Sequence, residues 1–421
     1  MASFIEHLRD GDWLTRERVR LVAWAVLATS AIGLVFLVVT SDGLNDRFGR
    51  PLGTDFSNVY AAGTYVLDGE ATAPFDPPRQ YAREQAIFGT ATGFYGWHYP
   101  PFFLGVAALL ATMPYWLALL TWQGMTFGFY LWTMRTRRPK AAYASPLQGE
   151  VTQLWPLLAI AFPAVFINLG HGHNGFLTAA LIGGALVTLD RRPILAGILI
   201  GCLAYKPQFG MLIPLVLIAS GRWRVFISAA ATVALLALAV TLAFGVEVWT
   251  AFLASTTFTR TVVLEQGGTG WYKIQSVFSW VRMWGGPVDL AYVVQGAVTI
   301  VAAIALAWLW RARVSFAIQA AALLIGTILA TPYSLDYDLM LLAPAIAFLA
   351  ATGMNRGFVP WEKTLLAALW IVPLVTRSVA EAALIPLAVP VMLLAFGFLL
   401  HRAMAESGAH LIWPFPARSL K

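Results

Sequence analysis

Apolar residues along the chain fall into long blocks separated by short polar, Gly- or Pro-bearing stretches, the pattern of helices buried in hydrocarbon rather than of amphipathic helices on a soluble core. Twelve such runs have plausible ends: Leu21–Thr40, Tyr115–Met134, Leu154–Asn168, Gly175–Leu189, Ile194–Ala204, Phe209–Ser220, Val225–Phe244, Leu290–Trp310, Phe316–Thr331, Leu339–Thr352, Thr364–Val375 and Leu384–Leu400. The pattern predicts an all-α polytopic membrane protein of about 12 transmembrane helices. Pro101–Met113 opens on a proline pair and is too short to span comfortably, so it is expected as an interfacial helix in the first outer loop.

Composition agrees. Of 421 residues 59% are hydrophobic and only 12% charged, against roughly 25% charged in a soluble domain. Soluble dinucleotide-binding enzymes, disulfide scaffolds and nucleic-acid modules are excluded. Cys202 is the single cysteine, so no intramolecular disulfide can form. Leu21–Thr40 is longer than a signal-peptide core and is expected as a retained first helix.

Short Lys- and Arg-rich loops stay cytoplasmic. With Pro101–Met113 outside the membrane, alternation of the runs puts Arg135, Arg137, Arg138 and Lys140 inside, and likewise Arg191/Arg192, Arg222/Arg224, Arg311/Arg313, Arg356/Lys363 and Arg402. The net charge of +7 is then a cytoplasmic surplus and implies no nucleic-acid partner. The expected organisation is a cytoplasmic N-terminus (1–20), a membrane domain (21–400) with outer loops 41–114 and 245–289, and a cytoplasmic tail (401–421). Both outer loops are long and aromatic-rich, so the working face is expected outside the cytoplasm.

Candidate chemistry lies in these loops and at breaks between runs. Asp55 precedes Phe56, Val59, Tyr60 and Gly63, which have helical spacing, so it stands at a helix start. It is either an N-cap or a carboxylate fixed at the membrane surface as a general base. His98 and Tyr99 belong to an aromatic stretch ending in Pro100-Pro101, read either as a headgroup-level belt or as substrate contacts. Gly170-His171-Gly172-His173-Asn174 forms a polar turn; two His at alternate positions could begin a metal site, but no further ligands follow in sequence. Lys206-Pro207-Gln208 breaks an apolar stretch at membrane depth, where a lysine needs an anionic partner, either a lipid phosphate or Asp55. Asp336-Tyr337-Asp338 has an Asp-x-Asp spacing, and Asp338 is read as a helix cap. Arg260, Lys273 and Arg282 in the second outer loop could each neutralise a phosphate or belong to a solvated face. There is no phosphate-binding GxxxxGK[ST], no GxGxxG after a strand, no CxxC pair and no GxSxG.

Taken in order, Thr54-Asp55-Phe56 with Tyr60-Ala61-Ala62-Gly63, Tyr99-Pro100-Pro101, His173-Asn174-Gly175, Ala196-Gly197, Lys206-Pro207-Gln208, Thr331-Pro332-Tyr333-Ser334 and Tyr337-Asp338-Leu339 resemble glycosyltransferase family 87 over roughly Leu21 to Leu400. That resemblance implies a GT-C-like membrane fold and transfer of a hexose, mannose in several members, from a polyprenyl-phosphate sugar to a glycolipid or glycan on the non-cytoplasmic face. It implies no nucleotide donor. Asp55 matches the family's catalytic carboxylate. Where the family often has Gly-Gln-Asn, this chain has Gly172-His173-Asn174 after a second His, a departure that bears on sugar or acceptor preference rather than reaction class.

A lipid-linked phosphate leaves as a monoester, so cations suffice to stabilise its departure and one carboxylate can act as base, with inversion; a glycosidase needs two. The expected assignment is Asp55 as base and Lys206, Arg260, Lys273 and Arg282 as phosphate ligands. His98, Tyr99, His173, Asn174, Gln208, Tyr337 and Asp338 are expected to contact sugar or acceptor, with no metal or other cofactor required. The rival readings are a lipid-linked glycan polymerase or flippase, a secondary transporter and a noncatalytic scaffold.

Overall fold

A computed structural model describes residues 2–135 and 154–408. The basic positions Arg137, Arg138 and Lys140, and the tail beyond Gly408, lie outside these residues. The described chain is helical throughout, with only isolated backbone bridges in place of strands.

Ala2–Asp10 (α1) and Arg16–Val39 (α2) come first. Thr15 caps α2 by accepting a hydrogen bond from the Arg18 amide. Most of the α2 surface is apolar and uncovered, with only Ala23 and Val26 buried, as expected of a helix in lipid. The long connection after α2 is itself built of helices: Phe56–Leu67 (α3), Pro77–Phe88 (α4) and, after a 3-10 turn at Pro101–Phe103, Leu104–Ala111 (α5). Pro77 follows the Asp76 N-cap, which accepts from the Arg79 amide. The helix at α4 has no counterpart among the apolar runs, because it carries Gln80, Arg83, Glu84 and Gln85. α3 and α5 meet closely at Gly63, where an added Cβ would stand 2.1 Å from the Ala107 carbonyl oxygen.

Tyr115–Arg135 (α6) is followed by Leu154–Ile160 (α7) and Pro163–His171 (α8), a pair bent by 41° where Pro163 restarts the helix. Gly175–Thr188 (α9), Pro193–Gly201 (α10), Pro207–Gly210 (α11), Ile213–Ala219 (α12) and Trp223–Phe244 (α13) come next. Gly197 and Gly201 lie one turn apart on α10 and let it sit directly on α13, with Ser228 and Thr232 where Cβ atoms would go. The long connection after α13 contains Glu247–Phe258 (α14), a π-helical stretch at Thr259–Glu265, and Val277–Met283 (α15). Val288–Arg311 (α16), Phe316–Leu329 (α17), Leu342–Arg356 (α18), Glu362–Ala383 (α19) and Ala388–Ser407 (α20) complete the bundle.

All twelve apolar runs are therefore helical, but their ends and lengths differ from expectation. Among the described residues six helices are long and apolar enough to cross a membrane, or seven if α7 and α8 form one broken span. α6 is long but diluted by Trp, Tyr, Gln and Thr. α9, Pro193–Tyr205, Pro207–Ala219 and α17 are shorter; a helix of 14 residues covers only about 21 Å of a roughly 30 Å hydrocarbon layer. Almost every residue of α9 and α17 is buried, so these two are apolar all round because they form the centre of the bundle. The last two runs also shift. α19 continues beyond Val375 through Arg377 to Ala383, and Leu384, in the left-handed region at φ 59°, turns the chain before α20.

Candidate active site

The shortness of the central helices creates the site. The turn before α9, the segment after α17 and the chain break at Lys206 between α10 and α11 each contribute to the wall of a cavity of about 270 Å³. Irregular backbone inside a membrane bundle is tolerated where it lines such a cavity. Asp55, Asn58, Tyr95, His98, Tyr99, His173, Tyr205, Lys206, Gln208, Lys273, Tyr333, Tyr337 and Asp338 all contribute to the wall, with Phe94, Phe258, Val262 and Val263 supplying apolar surface.

Asp55 is the N-cap residue of α3 by position, yet its side chain accepts no capping hydrogen bond. The backbone is held without it: the Asp55 amide donates to the His171 carbonyl at 3.0 Å, and the Phe56 amide to the Gly53 carbonyl at 2.7 Å. Its carboxylate instead faces the cavity, 3.8 Å from His171 Nδ1, which in turn shares a 2.7 Å hydrogen bond with Thr54 Oγ1. Burial pushes the Asp55 carboxyl up to about 6, against the opposing pull of Lys273, Lys206 and Arg377.

The polar turn between α8 and α9 is fixed by its glycines and by Asn168. Gly172 has φ 61° and leaves no room for a Cβ against Phe56. The fully buried Asn168 donates to the carbonyls of Ala164 and Tyr337 and accepts from the Gly175 amide, tying this turn to the segment after α17. His173 is thereby stacked on the Tyr337 ring at 3.5 Å, and its Nε2 lies 3.1 Å from the Tyr99 hydroxyl. His173 Nδ1 is buried and without a partner among the described residues. His98 sits on the opposite wall, Nδ1 2.9 Å from Thr259 Oγ1 at the start of the π-helical stretch. Burial pushes its imidazole down to about 4, so it is neutral at neutral pH.

Lys206 is buried and pairs with Asp338, Nζ to Oδ1 at 2.5 Å, so its partner within the protein is Asp338 and not Asp55. Asp338 also accepts from the Leu335 amide with its second oxygen, which combines the expected cap with an ion pair. Asp336 pairs with Arg377 of α19 at 3.3 Å. Each carboxylate of the Asp-x-Asp thus faces its own cation, and no group of three His, Cys, Asp or Glu side chains converges among the described residues. Lys273 has no ion-pair partner among the described residues and borders the cavity beside the Tyr272 ring. The backbone of its loop is anchored to the other side of the site, the Gln275 amide donating to the Ser334 carbonyl at 2.6 Å. Gln208 also lines the cavity.

Three expected site residues stand elsewhere. Arg282 donates to the carbonyls of Gly286 and Glu265 and stacks on Trp271, holding the connection after α13 together. Arg260 is 63% exposed, 3.8 Å from Glu265. Asn174 lies behind the wall at the start of α9, its amide buried and unpartnered. In the other direction, Asn58, Tyr205 and Arg377 were not given a role by sequence, and Tyr333 and Asp336 entered only as members of motifs. Asn58 could have been, since it stands three residues beyond Asp55 on one helical face. Arg377 could also have been, as a cation in an otherwise apolar run.

Fold and cavity together define a multi-pass, all-helical membrane protein whose polar, cation-bearing cavity is enclosed by loops and helix breaks. The sequence profile of glycosyltransferase family 87 matches residues 97–332, more than half of the chain, and the protein belongs to that family. It is a membrane glycosyltransferase. The matched stretch contains His98, Tyr99, His173, Lys206, Gln208 and Lys273 and stops short of Asp55 on one side and of Tyr337 and Asp338 on the other. No curated protein and no solved structure matches the chain significantly.

Proposed function

We propose that this protein transfers a hexose, mannose by family resemblance, from a polyprenyl-phosphate sugar to a hydroxyl of a glycolipid or glycan on the non-cytoplasmic face of the inner membrane. The fold is read as GT-C-like, with twelve crossings and both termini in the cytoplasm. Contacts of α1 and the segment beside it with the start of α19 support that sidedness: the Trp13 indole donates to Thr364 Oγ1, and the Trp361 amide to the Arg9 carbonyl.

The observation that carries the reading is Asp55, a carboxylate released from capping its own helix and directed into a cavity that also holds an unpaired lysine. In the proposed step Asp55 takes the proton of the acceptor hydroxyl as that oxygen attacks the anomeric carbon. The bond from that carbon to the phosphate oxygen breaks, its electron pair leaves on the polyprenyl phosphate, and configuration inverts. Lys273 neutralises the departing phosphate, assisted by Lys206, whose charge is shared with Asp338. Arg260 and Arg282 take no part. His98, Tyr99, His173, Gln208 and Tyr337 contact the sugar or acceptor, and the apolar Phe94, Phe258, Val262 and Val263 face the prenyl chain.

The test is transfer by the purified protein in lipid, with radiolabelled polyprenyl-phosphate mannose as donor and an extract of membrane glycolipids as acceptor. Asp55→Asn is expected to lower kcat by about 10²–10⁴-fold, the range for loss of a general base, while the variant remains folded in the membrane. Transfer at the wild-type rate by Asp55→Asn would remove the base assignment.

A further inference from the structure

α4 buries a polar stripe. Gln80, Glu84 and Phe88 are four residues apart and share one helical face, and Gln80 and Glu84 are both fully buried although α4 belongs to an outer loop. Burying a carboxyl is costly unless something compensates it, and Glu84 has no ion-pair partner among the described residues; Arg83 on the same helix pairs with Asp68 instead. What Glu84 has is two hydrogen bonds. Its Oε2 accepts from the Tyr95 backbone amide at 2.9 Å, and its Oε1 from Gln80 Nε2 at 3.3 Å. Gln80 Nε2 also donates, at 3.0 Å, to the backbone carbonyl of Asn58.

These bonds form a continuous bridge. One end is Asn58 on α3, one turn beyond Asp55. The other is Tyr95, in the aromatic segment that carries His98 and Tyr99, and both ends line the cavity. We propose that Glu84 is a positioning residue: through Gln80 it fixes the spacing between the aromatic wall of the cavity and the helix start that bears Asp55. An apolar side chain at this place would fill the space but leave the Tyr95 amide without an acceptor. Burial pushes the Glu84 carboxyl up to about 8, against the bonds from Tyr95 and Gln80. A glutamine at position 84 keeps one acceptor oxygen for the Tyr95 amide but offers none to Gln80 Nε2.

The proposal rests on the reading of Asp55 as the base, and the experiment separates the two. With polyprenyl-phosphate mannose as donor, Glu84→Ala is expected to lower kcat about 10- to 100-fold with donor KM within about threefold, since displacement by about 1 Å costs on that order. Glu84→Gln, which keeps the acceptor for Tyr95 but not the one for Gln80, is expected to recover part of that loss, with kcat at least about threefold above Glu84→Ala, and Gln80→Leu to reproduce the Glu84→Ala loss. Gln80→Leu with Glu84→Ala should be no worse than the worse single variant, as for members of one network. If Asp55→Asn abolishes transfer while Glu84→Ala keeps wild-type kcat, the positioning role is wrong and the base assignment stands. If Glu84→Gln is as slow as Glu84→Ala, the carboxyl acts otherwise than through these bonds and the proposal is also wrong. Should Glu84→Ala not fold, Glu84→Gln and Gln80→Leu still decide it.

Discussion

An aspartate at a helix start ordinarily spends its oxygens on the free amides of the first turn. Asp55 does not: the first-turn amides of Phe56 and Ser57 already donate to the carbonyls of Gly53 and Thr54. The carboxylate is left for the cavity, where burial raises its proton affinity and three cations oppose the rise. A base must be ionised to accept a proton, so kcat/KM should fall on the acid side, about tenfold for each pH unit below 6. His98 is held near 4 and contributes no step in that window. A pH profile flat from 7 down to 5, in a range where the protein remains folded, would be incompatible with Asp55 as the titrating base.

At the scale of elements, the site depends on a few close approaches. α3, which carries Asp55, has no latitude against α5 because Gly63 packs directly on the Ala107 backbone. Gly63→Val is expected to push the two helices apart, lowering the melting temperature by several degrees, as roughly 1–3 kcal/mol of overpacking does, and reducing transfer more than tenfold by displacing Asp55. Thermal unfolding of the detergent-solubilised variant alongside its kcat checks both. An unchanged melting temperature would show that the interface can relax. The same reasoning explains why α4 escaped the apolar pattern. Its buried face is made of glutamine and glutamate, which periodicity of hydrophobic residues cannot register, whereas α3 was visible from Phe56, Val59, Tyr60 and Gly63.

At the scale of the whole molecule, the proposed orientation rests on where the basic connections fall. The ion pairs Arg222–Asp190 and Arg402–Glu362 join segments that charge parity assigns to the cytoplasm. In a Cys202→Ala background, a cysteine at Gln266 should react with an impermeant maleimide in intact cells, and one at Arg311 only after permeabilisation. Both positions are exposed, so labelling of Arg311→Cys from outside would invert the proposed orientation.

Hydropathy and helix breakers act within a few residues, so the sequence by itself determined the apolar helices, the break at Lys206-Pro207, the polar turn at 171–174 and the special position of Asp55. Family resemblance came from the same local motifs. Which charge meets which was decided only in three dimensions. Lys206 finds Asp338 across 132 positions and Gln80 reaches the backbone of Asn58, while Arg282 is consumed by carbonyls of its own loop. The number of crossings likewise could not be read from apolarity alone. A helix surrounded by lipid and one surrounded by other helices, as α9 and α17 are, exclude water equally well and select the same residues.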